Sequence, residues 1–75
     1  MVSWIFQRSL DLLTCEVDFD RNRAAYDVCV VAHGEVSSSV VQSFGSVTEA
    51  LERHAALASG LRQSGWHIAG YGARN

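Results

Sequence analysis

Leu13-Thr14-Cys15-Glu16-Val17-Asp18-Phe19 alternates apolar and polar side chains without a break. That is the period of a strand buried on one face. Leu13, Cys15, Val17 and Phe19 share one side, while Thr14, Glu16 and Asp18 take the other. A sheet of such strands has one oily face and must cover it, which points to an α+β arrangement. Carried back to Leu10, the stretch is the first clear strand.

Working outward, Asp20-Arg21-Asn22-Arg23 reads as a turn in which Asn22 tolerates a left-handed backbone. The second strand sets Tyr26, Val28, Val30 and Ala32 on one side and Asp27, Cys29, Val31 and His33 on the other. Opposed residues of an antiparallel pair project to one face, so the two apolar sets must lie side by side. Cys15 then faces the core and Cys29 faces away, which forbids an intramolecular disulfide between them. Gly34 marks the next turn. A two-residue Gly34-Glu35 loop would leave both faces of the third strand, about Val36 to Phe44, half apolar. A three-residue His33-Gly34-Glu35 loop is preferred, because it puts Val36, Val40 and Phe44 on the core face and Ser37, Ser39, Val41 and Ser43 opposite.

A helix is predicted next. Ser46-Val47-Thr48-Glu49 fits a capping box. Val47, Ala50, Leu51, His54, Ala55, Leu57, Ala58 and Leu61 form one stripe at helical spacing. Glu49 and Arg53 stand four apart in the favourable order, and Gly65 is placed to stop the helix. Trp66 to Tyr71 is either a short fourth strand pairing with a sheet edge or an extended flap. Trp4-Ile5-Phe6 either begins the first strand early or packs separately. The expected fold is therefore α+β: one small domain over residues 1–75, with a three- to four-stranded antiparallel meander and one C-terminal helix on one face.

Seventy-five residues, 48% of them apolar, build a single modest core and leave little room for a deep cleft. Disorder does not suit that composition. The longest apolar run falls far short of the roughly 20 residues of a membrane span. Met1-Val-Ser-Trp-Ile-Phe lacks the basic start of a signal peptide. The expected setting is thus the cytoplasm, with free thiols and no membrane contact. All six basic residues are Arg, dispersed and outnumbered by eight acids for a net charge of −2. No basic stripe is available for a nucleic-acid backbone.

The candidate chemistry is sparse. Three histidines and two cysteines show no close metal-ligand spacing, so no metal and no cofactor are expected. His54, inside the helical stripe, suits a core histidine donating to a backbone or Tyr oxygen better than a general base. Glu16, Asp18 and Asp27 cluster on the outer sheet face, where carboxylates are solvated rather than catalytic. No catalytic residue is assigned. Cys29 and Val31, with Val41, are apolar among acids and serines and suggest a contact patch. Trp66 is read as a lid on the sheet–helix seam that also offers binding surface.

The layout Tyr26-Asp-Val-x-Val, Gly34-Glu, Phe44-x-Ser46-x-x-Glu49-Ala-Leu51 and Leu61-x-x-x-Gly65-Trp66 resembles small uncharacterised bacterial proteins built as a β-meander followed by one helix. The resemblance covers about two-thirds of the chain and implies no catalytic residue. Similar topologies occur in single-stranded nucleic-acid binders of the Pur-alpha and Whirly type and in plant AP2-type domains, which use basic or aromatic residues on the open sheet face. Here that face offers Thr14, Glu16, Asp18, Asp27, Ser37 and Ser39 instead. The expected function is a non-enzymatic protein-interaction module whose partner is a second copy (a homodimer) or another protein, with Cys29, Val31, Val41 and Trp66 as contact residues. The alternative is single-stranded nucleic-acid binding through Arg21, Arg23 and the Trp and Tyr aromatics.

Overall fold

The alternating stretch forms the long strand β2 (Asp11–Asp20), which pairs antiparallel with β3 (Ala25–Ala32). Leu13 stands opposite Ala32, Cys15 opposite Val30, Val17 opposite Val28 and Phe19 opposite Tyr26, as the matching of apolar sets requires. The computed structural model describes residues 2–33 and 39–73. Its remaining elements are β1 (Val2–Arg8), β4 (Ser39–Phe44), α1 (Val47–Gln63) and β5 (His67–Ala73). The strand order is β4-β3-β2-β1-β5, antiparallel throughout.

Two parts of the expected architecture are corrected. The sheet has five strands rather than three or four, and the helix lies mid-chain because β5 follows it. Trp4-Ile5-Phe6 belongs to a strand of its own, β1, held between β2 and β5. Pairing Trp4 with Cys15 and Phe6 with Leu13 puts both aromatics on the oily face. Phe6, Cys15, Val17 and Val28 are wholly buried there.

α1 covers this face with Ala50, His54 and Ala58, which are buried. Two clusters result. Phe6, Cys15 and Ala58 gather Trp4, Leu13, Val30, Leu61 and Trp66, while Val17, Val28 and Ala50 gather Tyr26, Phe44 and Leu57. Small residues at Ala50 and Ala58 let the helix approach the sheet closely.

The helix ends are formed differently from each other. Ser46 is the N-cap, but its side chain makes no capping bond, so the expected capping box is not closed. Its carbonyl does accept from Ala50 N at 3.1 Å. At the other end Trp66 N donates to Leu61 O at 3.0 Å and Gly65 N to Arg62 O at 3.2 Å, with Gly65 at φ 94. This is a Schellman termination, completed by Leu61 and Trp66 joining one apolar cluster. Among the described residues no ion pair joins Glu49 to Arg53.

The turns also differ from expectation. In the β2–β3 turn the left-handed residue is Ala24, at φ 50, not Asn22. Asn22 N instead donates to Asp20 Oδ1 at 2.9 Å, an Asx turn in which Asp20 supplies the local bond. The β1–β2 hairpin turns through Ser9 and Leu10, with Ser9 at φ 55. Between β3 and β4 the register shifts at Val28/Cys29, so that Val28 faces Gln42 and Cys29 faces Val40. The unbroken alternation expected of the third strand therefore does not hold. Val36, Ser37 and the choice of loop at Gly34-Glu35 lie outside the described residues.

Candidate functional site

The four expected contact residues do not form one site. Cys29 and Val31, two apart on β3, stand opposite Glu16 and Thr14 on the face away from α1. Cys29 is only 6% exposed despite that position, so it offers little surface. Val41 is exposed on β4, beside the register shift. Trp66 lies across the sheet from Cys29, half-buried against the Phe6–Cys15–Ala58 cluster, and so acts as the lid expected of it. The Arg8 guanidinium stacks 4.6 Å above its ring, and Arg8 Nη1 donates to Ser64 O.

Both thiols are free and both are buried, one on each side of the sheet. Burial pushes the Cys15 thiol up to about 11. Cys29 is also raised, chiefly by burial and further by Asp18, Asp27 and Glu16 around it. Neither has the depressed pKa of a reactive nucleophile. His54 is buried, with Nε2 3.1 Å from the Cys15 carbonyl and its ring edge-on to Trp4 at 5.0 Å. A carbonyl oxygen only accepts, so Nε2 carries the proton and His54 is a core donor. Among the described residues no group of three His, Cys, Asp or Glu is placed to hold a metal.

The outer face carries an organised polar cluster. Asp27, 9% exposed, accepts from Arg23 Nη2 and, at 2.6 Å, from Ser43 Oγ. Arg23 Nε also donates to Asp20 at 2.8 Å. The Arg23 guanidinium holds the Asp20 carboxyl below its ordinary range, and both carboxylates raise Arg23 in return. This cluster joins the β2–β3 turn to β4, so the β4 edge has Arg23, Asp27 and Ser43 beside it. Toward the opposite end of the same face, Thr14 Oγ1 and His33 Nε2 lie 2.7 Å apart. At the end of the sheet near the β1–β2 turn, Leu10, Leu12, Leu13 and Trp66 line a surface cavity of about 330 Å³ with Asp11 and His33.

The other edge is different. β5, His67-Ile-Ala-Gly-Tyr-Gly-Ala73, has no Asp, Glu, Lys, Arg or Pro. Its pairing with β1 sets Ile68 opposite Phe6 and Tyr71 opposite Trp4, so both side chains are on the helix side of the sheet. There Ile68 is 40% exposed and Tyr71 79%. Leu51, also 40% exposed, adds apolar surface on the helix. Of the paired residues, His67, Gly70 and Gly72 are on the outer side, opposite Gln7, Ile5 and Ser3. Sequence patterning identified this segment as a candidate strand but missed it as a surface. Its signal was the absence of any charge across a strand that ends a sheet.

No helix among the described residues is long and apolar enough to cross a membrane. The chain matches no family model, no curated protein and no solved structure.

Proposed function

We propose that the chain is a non-enzymatic protein-interaction module that self-associates through a sheet edge. The supporting observation is β5: an uncharged outer strand whose Ile68 and Tyr71 stand in water beside the core. Edge strands present unpaired backbone donors and acceptors, and chains that keep them single place charges or Pro there. β4, the other edge, also has no charged residue of its own, but Arg23 of the β2–β3 turn and Asp27 of β3 bond to its Ser43, and among the described residues β5 has no such charged groups bonded to it. Strand addition at such an edge draws affinity from main-chain hydrogen bonds and specificity from alternate side chains.

The nucleic-acid reading has less behind it. Arg23 is engaged by Asp20 and Asp27, and Trp66 is stacked under Arg8 and packed into the core. Sedimentation velocity at micromolar concentration tests the proposal. A dimer is the expected result, and a monomer throughout the concentration series overturns self-association.

A further inference from the structure

We infer that the partner of β5 is the β5 of a second copy, antiparallel about a two-fold axis passing between Ala69 and Gly70, with Ile68 of each copy opposite Tyr71 of the other. The inference rests on the self-association reading above and specifies its surface and register.

The argument begins with the irregularity in β5. Ile5 pairs with Gly70 and Phe6 with Ile68, so Ala69 is an extra residue and the alternation of faces skips there. On the N-terminal side of the skip, Ile68 is on the helix side and His67 on the outer side. On the C-terminal side, Tyr71 is on the helix side and Gly72 on the outer side. Opposed residues in antiparallel strands must share a face. With the axis between Ala69 and Gly70, Ile68 meets Tyr71 on the helix side and His67 meets Gly72 on the outer side. Both matches are satisfied, and the irregular positions fall together at the centre. Moving the axis by half a residue either way opposes Ile68 to Gly72 or to Gly70 and mixes the faces. Of the three registers centred on the irregularity, this one alone matches the faces on both sides of it.

Charge and surface agree with a second copy as occupant. From Gly65 through Ala73 there is no Asp, Glu, Lys or Arg, so a chain of net charge −2, counted with its histidines neutral, brings no like charges together at this seam. The two exposed large apolar side chains of the strand become cross-strand partners, twice by symmetry, on the helix side of the sheet. Gly70 and Gly72 leave the outer side flat and unobstructed. The arrangement closes on itself, as an isologous two-fold contact does, into one ten-stranded sheet with both helices on the same face.

The decisive experiment mixes two single variants, Ile68→Cys and Tyr71→Cys, under mild oxidation. A disulfide-linked heterodimer is expected from the mixture and not from either variant alone, because residues 68 and 68 of the two copies are offset by three positions, about 10 Å along the strand. Cys15 and Cys29 are buried and stay out of the reaction. In parallel, Tyr71→Lys changes a side chain 79% exposed, so its circular dichroism should match the parent. Its sedimentation should shift from dimer to monomer. A dimer that survives Tyr71→Lys, or cross-linking as strong in the single-variant samples as in the mixture, overturns this interface and leaves self-association standing. A parent protein that sediments only as monomer overturns both.

Discussion

Two residues occupy backbone conformations that their side chains resist. Ser9 at φ 55 and Ala24 at φ 50 lie in the left-handed region, which costs an L-residue about 1–2 kcal/mol. Glycine escapes that cost but loses about 0.5–1 kcal/mol more chain entropy on folding. Ser9→Gly and Ala24→Gly should therefore each stabilise by about 0.5–1 kcal/mol, read as a higher urea midpoint at unchanged m. His54 has the opposite sensitivity. His54→Ala removes a buried ring and its bond to the Cys15 carbonyl and should cost about 2–4 kcal/mol in the same assay. His54→Phe keeps the edge contact with Trp4 and should cost less, the difference reporting the hydrogen bond. The thiols should be silent: at pH 8 a thiol reagent should label neither Cys15 nor Cys29 until the protein is unfolded, because both are buried with raised pKa values. Several of these features were legible beforehand. The segregation of the thiols follows from alternation alone, and His54 as a backbone donor follows from its place in the helical stripe. Its partner Trp4 was not legible, since it arrives from a strand fifty residues earlier.

Among the elements, the helix shows how a motif and its hydrogen bond part company. Its bounds follow from the apolar stripe and from Gly65, whose φ 94 only glycine adopts freely. The capping box did not survive because sequence spacing cannot say which way a hydroxyl points. Ser46→Ala should accordingly cost less than about 0.5 kcal/mol in thermal denaturation, where a working cap is worth about 1. A full cap-sized loss would show that the hydroxyl engages in solution. The strands were legible in proportion to their alternation. β2 and β3 alternate cleanly and match expectation in register. In β1 the run Trp4-Ile5-Phe6 is apolar on both faces, because Ile5 faces Gly70 away from the helix, and the period is lost. The shift between β3 and β4 comes from pairing, which no single strand encodes.

For the molecule as a whole, acid stability turns on the cluster that ties the β2–β3 turn to β4. The Arg23 guanidinium lowers Asp20, so the unfolded chain binds its proton more readily than the folded one. That contribution is complete above the ordinary carboxylate range and is lost as pH falls through the lowered native value. Asp20→Asn should lower stability at neutral pH and flatten its decline below about pH 4, so that variant and parent converge in acid. Urea midpoints measured across the acid range decide it: an acid limb as steep as that of the parent would remove Asp20 from the account. The candidate site was the least legible level. Cys29, Val31, Val41 and Trp66 each read as contact residues along one chain, yet the fold distributes them over two faces. The edge at β5 exists only once α1 has carried the chain across the sheet.

That crossing also dictates the order of assembly. The meander from β1 to β4 forms by neighbouring hairpins, whereas β1 and β5 bring together positions near opposite ends of the sequence, such as Val2 and Ala73. Loop-closure entropy makes such long-range contacts slow to form. Until β5 docks, β1 is itself the border strand, with Val2, Trp4, Ile5 and Phe6 awaiting cover. A helix-tethered β5 from a neighbouring molecule fits that vacancy as well as the molecule's own, so strand exchange during refolding is the misassembly this topology invites, and dilution is its remedy.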